Sequence, residues 1–218
     1  MNLPTKITFS RIIAIILLVI ALFALYIVKL VNPSFEVMVL GNSGINIVFL
    51  IVFIFFLIAS YTDHLDGHLA RKNNQVTALG KFLDPVADKL LINSMVIFLV
   101  APAVFASYIP GAENVASFSV WCAIILVGRD IVVDALRFIA AEKGVVVAAN
   151  IFGKIKTVLE MIAISFVLLN GWPFYYFDAD WPVRIVDIFV YLATLASLIS
   201  GVIYVVQNRK VFLEQKKD

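Results

Sequence analysis

Long apolar runs dominate this chain of 218 residues and limit what it can fold into. A helix that crosses the hydrocarbon core of a bilayer needs about 20 mostly apolar residues. The runs are continuous, whereas barrel strands alternate between apolar and polar positions over about ten residues. The pattern therefore predicts an all-α integral membrane protein with six transmembrane helices. The six runs cover approximately residues 12–28, 44–62, 89 to past 102, 116–138, 155–169 and 188–206.

The composition agrees with a protein whose solvent is largely lipid. Hydrophobic residues make up 62% of the chain and charged residues 15%, and the mean hydropathy is +1.01. A soluble domain is nearer half apolar and one quarter charged, so these values argue against a soluble enzyme. The length suits one membrane domain over residues 1–218, with a juxtamembrane segment at 1–11 and a tail at 207–218. The net charge of +2 predicts no basic surface for nucleic acid.

Lysine and arginine are distributed unevenly along the chain. Of the 17 basic residues, fifteen lie near the two termini or around the loops after the second and fourth predicted spans. Basic residues accumulate in the cytoplasmic loops of membrane proteins. The distribution therefore predicts a multi-pass protein of the cell membrane with both termini in the cytoplasm and an even number of spans.

Two pairs of aspartates stand where the second and third apolar runs approach each other along the chain. Asp63 and Asp66 are three residues apart, and Asp84 and Asp88 are four apart, so each pair shares one helical face. Four carboxylates in one volume repel one another, and the single charge of Arg71 does not balance them. Oxygen ligands favour Mg²⁺, Mn²⁺ or Ca²⁺ over Zn²⁺. The pattern predicts a divalent-metal site at the cytoplasmic rim of the bilayer, with a substrate that carries phosphate.

Two glycines accompany the aspartates. Gly67 follows Asp66 directly, and its lack of a side chain would let a nucleotide base or ribose lie against the helix. Gly80 would allow close packing of two helices. A single pair of aspartates is also typical of a helix cap or a solvated face. The two pairs together with Gly67, Arg71 and Gly80 favour a functional site.

The complete pattern resembles the signature of the CDP-alcohol phosphatidyltransferases. The matching positions are Asp63-x-x-Asp66-Gly67-x-x-Ala70-Arg71, then eight residues, then Gly80-x-x-x-Asp84-x-x-x-Asp88. Residues 2–11, which include Thr5, Thr8 and Arg11, are similar to the opening segment of that family. Six spans also agree with the family fold, so the resemblance extends over essentially the whole chain.

The resemblance implies that an alcohol displaces CMP from a CDP-activated lipid and forms a phosphodiester. It also implies a homodimer and two divalent ions, Mg²⁺ or Mn²⁺, with Asp88 as the general base. The implied metal ligands are Asp63, Asp66, Asp84 and Asp88. The implied contacts to the donor, CDP-diacylglycerol, are Thr5, Thr8, Asp66, Gly67, Arg71 and Thr77.

A second polar cluster, in the fourth and fifth predicted spans, indicates which kind of acceptor alcohol the protein binds. Asp130, Asp134 and Arg137 share a helical face, and Glu160 follows a basic segment. Ionisable groups near membrane depth are costly and are functional candidates, although internal ion pairs and interfacial anchoring are alternative interpretations. Several basic groups suit an acceptor that carries its own phosphate. The candidate acceptor-binding residues are Arg129, Arg137, Lys154 and Lys156.

Residues 128–130 and 148–157 are similar to the corresponding segments of phosphatidylglycerophosphate synthases. This similarity implies glycerol 3-phosphate as the acceptor and phosphatidylglycerophosphate as the product. Inositol phosphate is an alternative acceptor, because charge alone does not separate two anionic alcohols. A divalent-cation transporter and a structural membrane scaffold are alternatives from other functional classes.

Overall fold

The computed structural model describes residues 3–32, 40, 45–72, 78–100, 116–144, 151–174 and 184–213. Within these ranges it contains six α-helices and no β-strand, so the prediction of an all-helical protein is confirmed for this part of the chain. The helices are α1 Leu3–Val31, α2 Ile47–Lys72, α3 Ala78–Phe98, α4 Val120–Glu142, α5 Ile151–Leu168 and α6 Ile185–Leu213.

Several helices extend beyond the apolar runs that predict them. α1 begins at Leu3, so the juxtamembrane segment predicted at residues 1–11 is helical from Leu3 and continuous with the first apolar run. α2 continues to Lys72 and α3 already begins at Ala78, and these polar extensions carry the aspartate pairs. α6 continues to Leu213, which confirms that the tail extends the last helix as far as that residue.

Two helical stretches of the described chain are long and apolar enough to cross a membrane. They are Thr5–Val31 and Ile185–Arg209, and Ile47–Asp63 is a shorter apolar helix. Only 11% of the most apolar window of the first stretch is buried within the protein. A helix in the core of a soluble protein would bury most of that surface, so the exposed apolar side chains of α1 suit contact with lipid. These helices have the character expected of a membrane protein.

The helices pack in an order that brings the polar segments together. α1 lies against α2 and α3, while α6 lies against α4 and α5. The two groups meet where α3 contacts α4 and where α2 contacts α5. Their shared core is apolar and includes Phe49, Phe56, Met95, Leu126 and Ile164. This packing places α2 and α3, which carry the aspartates, in contact with α1 and also with α4 and α5.

Candidate active site

The first turns of α1 contact both aspartate pairs. Thr8 and Arg11 are three residues apart on one helical face, and they are only 1% and 5% exposed. Thr8 Oγ1 donates a hydrogen bond to Asp84 Oδ1 at 2.8 Å. Arg11 Nη1 donates to Asp63 Oδ1 at 2.5 Å and forms an ion pair with it. α1 therefore ties the acidic end of α2 to the acidic start of α3.

Asp88, the predicted base, is influenced by charges from both polar clusters. It is partly buried on α3. The charges of Asp63 and Arg11, and also those of Lys156 and Asp130, act on its carboxylate. The structure thus brings the aspartate motif and the second polar cluster into one electrostatic environment.

The described carboxylates have the chemistry that a divalent ion requires. Asp63, Asp84 and Asp88 come from two adjacent helices and offer only oxygen atoms, the donors that Mg²⁺ and Mn²⁺ prefer. The side chain of the fourth predicted ligand, Asp66, lies outside the described residues. Among the side chains that are described, no set of three or more potential ligands is gathered closely enough to hold a metal ion. The guanidinium of Arg11 offsets the charge of one carboxylate in this arrangement.

The structure describes two of the predicted donor-binding side chains. Thr5 and Thr8 are both buried on α1. Because the Thr8 hydroxyl is bonded to Asp84, it orients a predicted metal ligand. The remaining predicted donor contacts lie outside the described side chains: Asp66, Gly67, Arg71 and Thr77.

A buried charge network contains two of the four predicted acceptor-binding residues. Lys156 Nζ donates to both carboxylate oxygens of Asp130, at 2.9 and 2.8 Å, and lies 2.5 Å from Glu160 Oε2. Arg129 Nη1 donates to Asp130 Oδ1 at 3.0 Å. Arg129 Nη2 donates to Ser200 Oγ at 2.8 Å. The network therefore joins α4, α5 and α6.

The charges of this network are balanced and almost inaccessible. The side chain of Lys156 is 3% exposed and that of Glu160 is 0% exposed. Two cations and two anions give no formal net charge, which reduces the cost of burying them together. This arrangement corresponds to the internal ion-pair network that the sequence left open as an alternative interpretation.

The other two predicted acceptor-binding residues are exposed. Lys154 lies on the exposed face of α5, and Arg137 is exposed on α4 with its guanidinium carbon 5.6 Å from the centre of the Tyr204 ring. Asp134 does not join Arg137 in an ion pair but forms one with Lys89 on α3. The four basic residues are thus divided into a pair engaged in the charge network, of which Lys156 is buried and Arg129 partly buried, and an exposed pair.

Three central residues are absent from the predicted set of site residues. Arg11 carries a sequence signal, since its spacing from Thr8 places a cation and a hydroxyl on one face at the start of a helix. Glu160 also carries one, because it stands four residues after Lys156 and is positioned for an ion pair within α5. The third residue, Asp130, shares a helical face with other charged residues, but that spacing does not reveal its partner on α5.

Gly201 allows Arg129 to lie against α6. A Cβ atom at this position would be 3.0 Å from Arg129 Cγ and 3.6 Å from Arg129 Nε. The first distance is shorter than ordinary van der Waals contact between carbon atoms. The lack of a side chain at Gly201 therefore makes room for the arginine that reaches Ser200.

Comparisons with known proteins agree with this arrangement. A profile of the CDP-alcohol phosphatidyltransferase family matches residues 1–205, a range that contains both aspartate pairs and the second polar cluster. A protein of Bacillus subtilis is 36% identical over 212 residues, which cover 95% of each chain. A Rickettsia felis protein is 31% identical over 213 residues, or 97% of each chain.

A Mycoplasma pneumoniae protein is 39% identical over 186 residues, covering 79% of this chain and 73% of the other. All three relatives carry the name CDP-diacylglycerol–glycerol-3-phosphate 3-phosphatidyltransferase. The family match extends from the first helix, which contacts Asp63 and Asp84, into the last helix. This chain therefore belongs to the CDP-alcohol phosphatidyltransferase family.

Proposed function

We propose that this chain transfers the phosphatidyl group of CDP-diacylglycerol to glycerol 3-phosphate, releasing CMP and forming phosphatidylglycerophosphate. Similarity over most of the chain to three proteins named for this activity is the observation that carries the proposal. The chain is accordingly a phosphatidyltransferase of phospholipid biosynthesis. The hydrogen bonds from Thr8 and Arg11 on α1 to Asp84 and Asp63 support the proposal, because they fix two carboxylates of the aspartate motif.

Two divalent ions, Mg²⁺ or Mn²⁺, complete the proposed site. They would supply charge stabilisation for both the attacking and the leaving oxygen of a displacement at phosphorus. Thr8 and Arg11 support the site by fixing two of the carboxylates from α1. The proposed ligands are Asp63, Asp66, Asp84 and Asp88.

Asp88 acts as the general base in this proposal. The acceptor hydroxyl loses its proton to the Asp88 carboxylate while its oxygen bonds to the β-phosphorus of the donor. The bond between that phosphorus and the bridging oxygen breaks, and CMP leaves with the bridging oxygen. A partly buried carboxylate on the rigid helix α3 suits this task because its position is fixed by packing. The proposed donor contacts are Thr5, Thr8, Asp66, Gly67, Arg71 and Thr77.

The division of the basic residues suggests two roles on the acceptor side. Arg137 and Lys154 expose their cations, and we assign them the direct contacts to the acceptor phosphate. The two terminal nitrogens of Arg129 and the ammonium group of Lys156 are engaged in the charge network, and we assign these residues an electrostatic supporting role.

We expect Arg137→Ala and Lys154→Ala each to raise the KM for glycerol 3-phosphate by on the order of tenfold, the worth of one charge-assisted hydrogen bond. The KM for CDP-diacylglycerol should stay unchanged, since the donor binds at the aspartates. Steady-state kinetics with each substrate varied in turn measures both constants. Arg184→Ala is the control, because Arg184 lies at the start of α6, away from Tyr204, which contacts Arg137. An acceptor KM equal to that of the wild type would remove the substituted residue from the acceptor pocket.

The topology forms part of the same proposal. All six helices span the cell membrane, with both termini and the active site on the cytoplasmic face, as the distribution of basic residues favours. The chain forms a single domain over residues 1–218 and a homodimer surrounded by membrane lipids. The shortest helix, α5, has 18 residues and rises about 27 Å, close to the thickness of the hydrocarbon core.

The buried charges disfavour a divalent-cation transporter. Such a path needs acidic groups that are available to the ion within the membrane. The buried acids Asp130 and Glu160 are instead paired with cations: Asp130 with Arg129 and Lys156, and Glu160 with Lys156. Acidic side chains whose charge is neutralised by such pairs are suited to supporting an active site from within the protein.

A direct assay of acceptor choice tests the proposal. The purified protein is incubated with labelled CDP-diacylglycerol and with glycerol 3-phosphate, inositol phosphate, serine or no acceptor. We expect CMP release and a labelled phosphatidyl product with glycerol 3-phosphate alone. Turnover with inositol phosphate but not with glycerol 3-phosphate would contradict the assigned acceptor, and no turnover with any acceptor would contradict transferase activity.

A further inference from the structure

Tyr204 on α6 is a buried aromatic residue whose ring meets a cation of a neighbouring helix. It is only 3% exposed. The guanidinium carbon of Arg137, on α4, lies 5.6 Å from the centre of its ring. A cation within about 6 Å of a ring centre is attracted to the negative face of the ring. Among the described residues the Tyr204 hydroxyl has no hydrogen-bond partner, so the ring provides the contact with Arg137.

Arg137 keeps its hydrogen-bond donors available for a ligand. It is exposed on α4 and forms no ion pair with any side chain that the structure describes. The acid three residues earlier, Asp134, pairs with Lys89 on α3 instead. An arginine stacks on a ring through the flat face of its guanidinium group, while the N–H groups at the edge bind phosphate. Contact with Tyr204 is therefore compatible with binding of an acceptor phosphate.

The same face of α4 contacts the helix that carries the predicted base. Asp134 and Arg137 are three residues apart and share this face. Asp134 pairs with Lys89, which follows Asp88 directly on α3. Arg137 is therefore within one helical turn of the contact between α4 and an aspartate-bearing helix, and Tyr204 contacts it from α6.

We propose that Tyr204 is a positioning residue for the acceptor, whose ring holds the Arg137 guanidinium where it binds the acceptor phosphate. The inference rests on the proposed function and adds a residue of α6 to the acceptor side. An exposed arginine has many rotamers, and fixing it on binding costs conformational entropy. A ring that already restricts the side chain lowers this cost, so the acceptor binds more tightly.

Removal of the ring tests this assignment. Tyr204→Met replaces the ring with a flexible apolar side chain that adapts to the space. We expect the KM for glycerol 3-phosphate to rise about twofold to fivefold, the effect of one cation–π contact at an exposed site, while the KM for CDP-diacylglycerol stays unchanged. Tyr204→Phe keeps the ring and should restore the acceptor KM. Tyr191→Met, which changes an exposed tyrosine of the same helix, is the matched control.

A graded change of the ring separates its electrostatic role from its bulk. Phenylalanine carrying one, two or three fluorine atoms is introduced at position 204 by nonsense suppression. Fluorine withdraws electron density from the ring face and weakens the attraction for a cation, with little change in size. We expect the acceptor KM to rise with each added fluorine. This series decides the question even if Tyr204→Met does not fold.

A double-variant cycle shows whether Tyr204 acts through Arg137. In the Arg137→Ala background the ring has no guanidinium to hold. Tyr204→Met should then leave the acceptor KM at the value of Arg137→Ala alone. A role in folding alone would affect both backgrounds equally. Thermal unfolding in detergent reports which variants are folded.

A folded Tyr204→Met protein with the wild-type acceptor KM would overturn the inference, as would equal effects in both backgrounds or an acceptor KM that is insensitive to fluorine. A Tyr204→Phe protein that binds the acceptor as weakly as Tyr204→Met would also overturn it, since that result assigns the effect to the hydroxyl. Wild-type protein is assayed in the same experiment. Its failure to release CMP with glycerol 3-phosphate would count against the proposed function, whereas the outcomes for the variants concern Tyr204 only.

Discussion

We expect Asp88→Asn to lower the rate of phosphatidyl transfer by about 10²–10⁴-fold, the contribution of a general base. The amide has nearly the same size as the carboxylate but does not accept the proton of the acceptor hydroxyl. Since Asp88 is partly buried on α3, an isosteric change preserves the packing around it. Binding of CDP-diacylglycerol should therefore be largely retained.

Single-turnover transfer and donor binding are measured on the same preparation of the Asp88→Asn protein. Asp187→Asn is the matched control, because it makes the same chemical change in a carboxylate that pairs with Arg184 at the start of α6. That control should transfer at the rate of the wild type. Normal turnover by Asp88→Asn would show that another group removes the proton.

Removal of divalent ions is expected to have an effect of similar size. A bound metal contributes several kcal/mol of charge stabilisation in the transition state, and about 1.4 kcal/mol corresponds to a tenfold change in rate. Dialysis against EDTA should therefore reduce transfer by at least about 10²-fold. The fold should persist, because the helices pack through an apolar core and Arg11 and Thr8 also hold Asp63 and Asp84.

The experiment compares activity and thermal unfolding before chelation, after chelation and after ions are returned. Mg²⁺ or Mn²⁺ should restore transfer, whereas Zn²⁺ should not, because an oxygen-only site favours the harder ions. Full activity after thorough chelation would contradict the metal-assisted mechanism.

The helices were predictable because apolar length is a strong signal, but their ends were not. Apolar runs give the membrane-facing part of each helix. The first turns of α1, the end of α2 and the start of α3 are polar, so hydropathy stops short of Thr8, Asp63 and Asp84. Those polar extensions are where α1 contacts the aspartates.

On the acceptor side, the spacing of charged residues along one helix does not reveal their interaction partners. Asp134 and Arg137 are three residues apart, yet Asp134 pairs with Lys89 on α3 and Arg137 lies over Tyr204 on α6. The partner of a charged side chain depends on which helices pack together. Local periodicity identifies a polar face, whereas the ion pairs on that face are determined by tertiary packing.

The central claim is that the carboxylates of α2 and α3 hold divalent ions beneath the donor diphosphate. Crystals grown with Mn²⁺ and CDP-diacylglycerol test it directly through anomalous diffraction at the manganese edge. We predict two manganese peaks beside the diphosphate, each at about 2 Å from carboxylate oxygens. The proposed ligands are Asp63, Asp66, Asp84 and Asp88. Manganese bound elsewhere, with these four side chains directed into separate regions, would contradict the account.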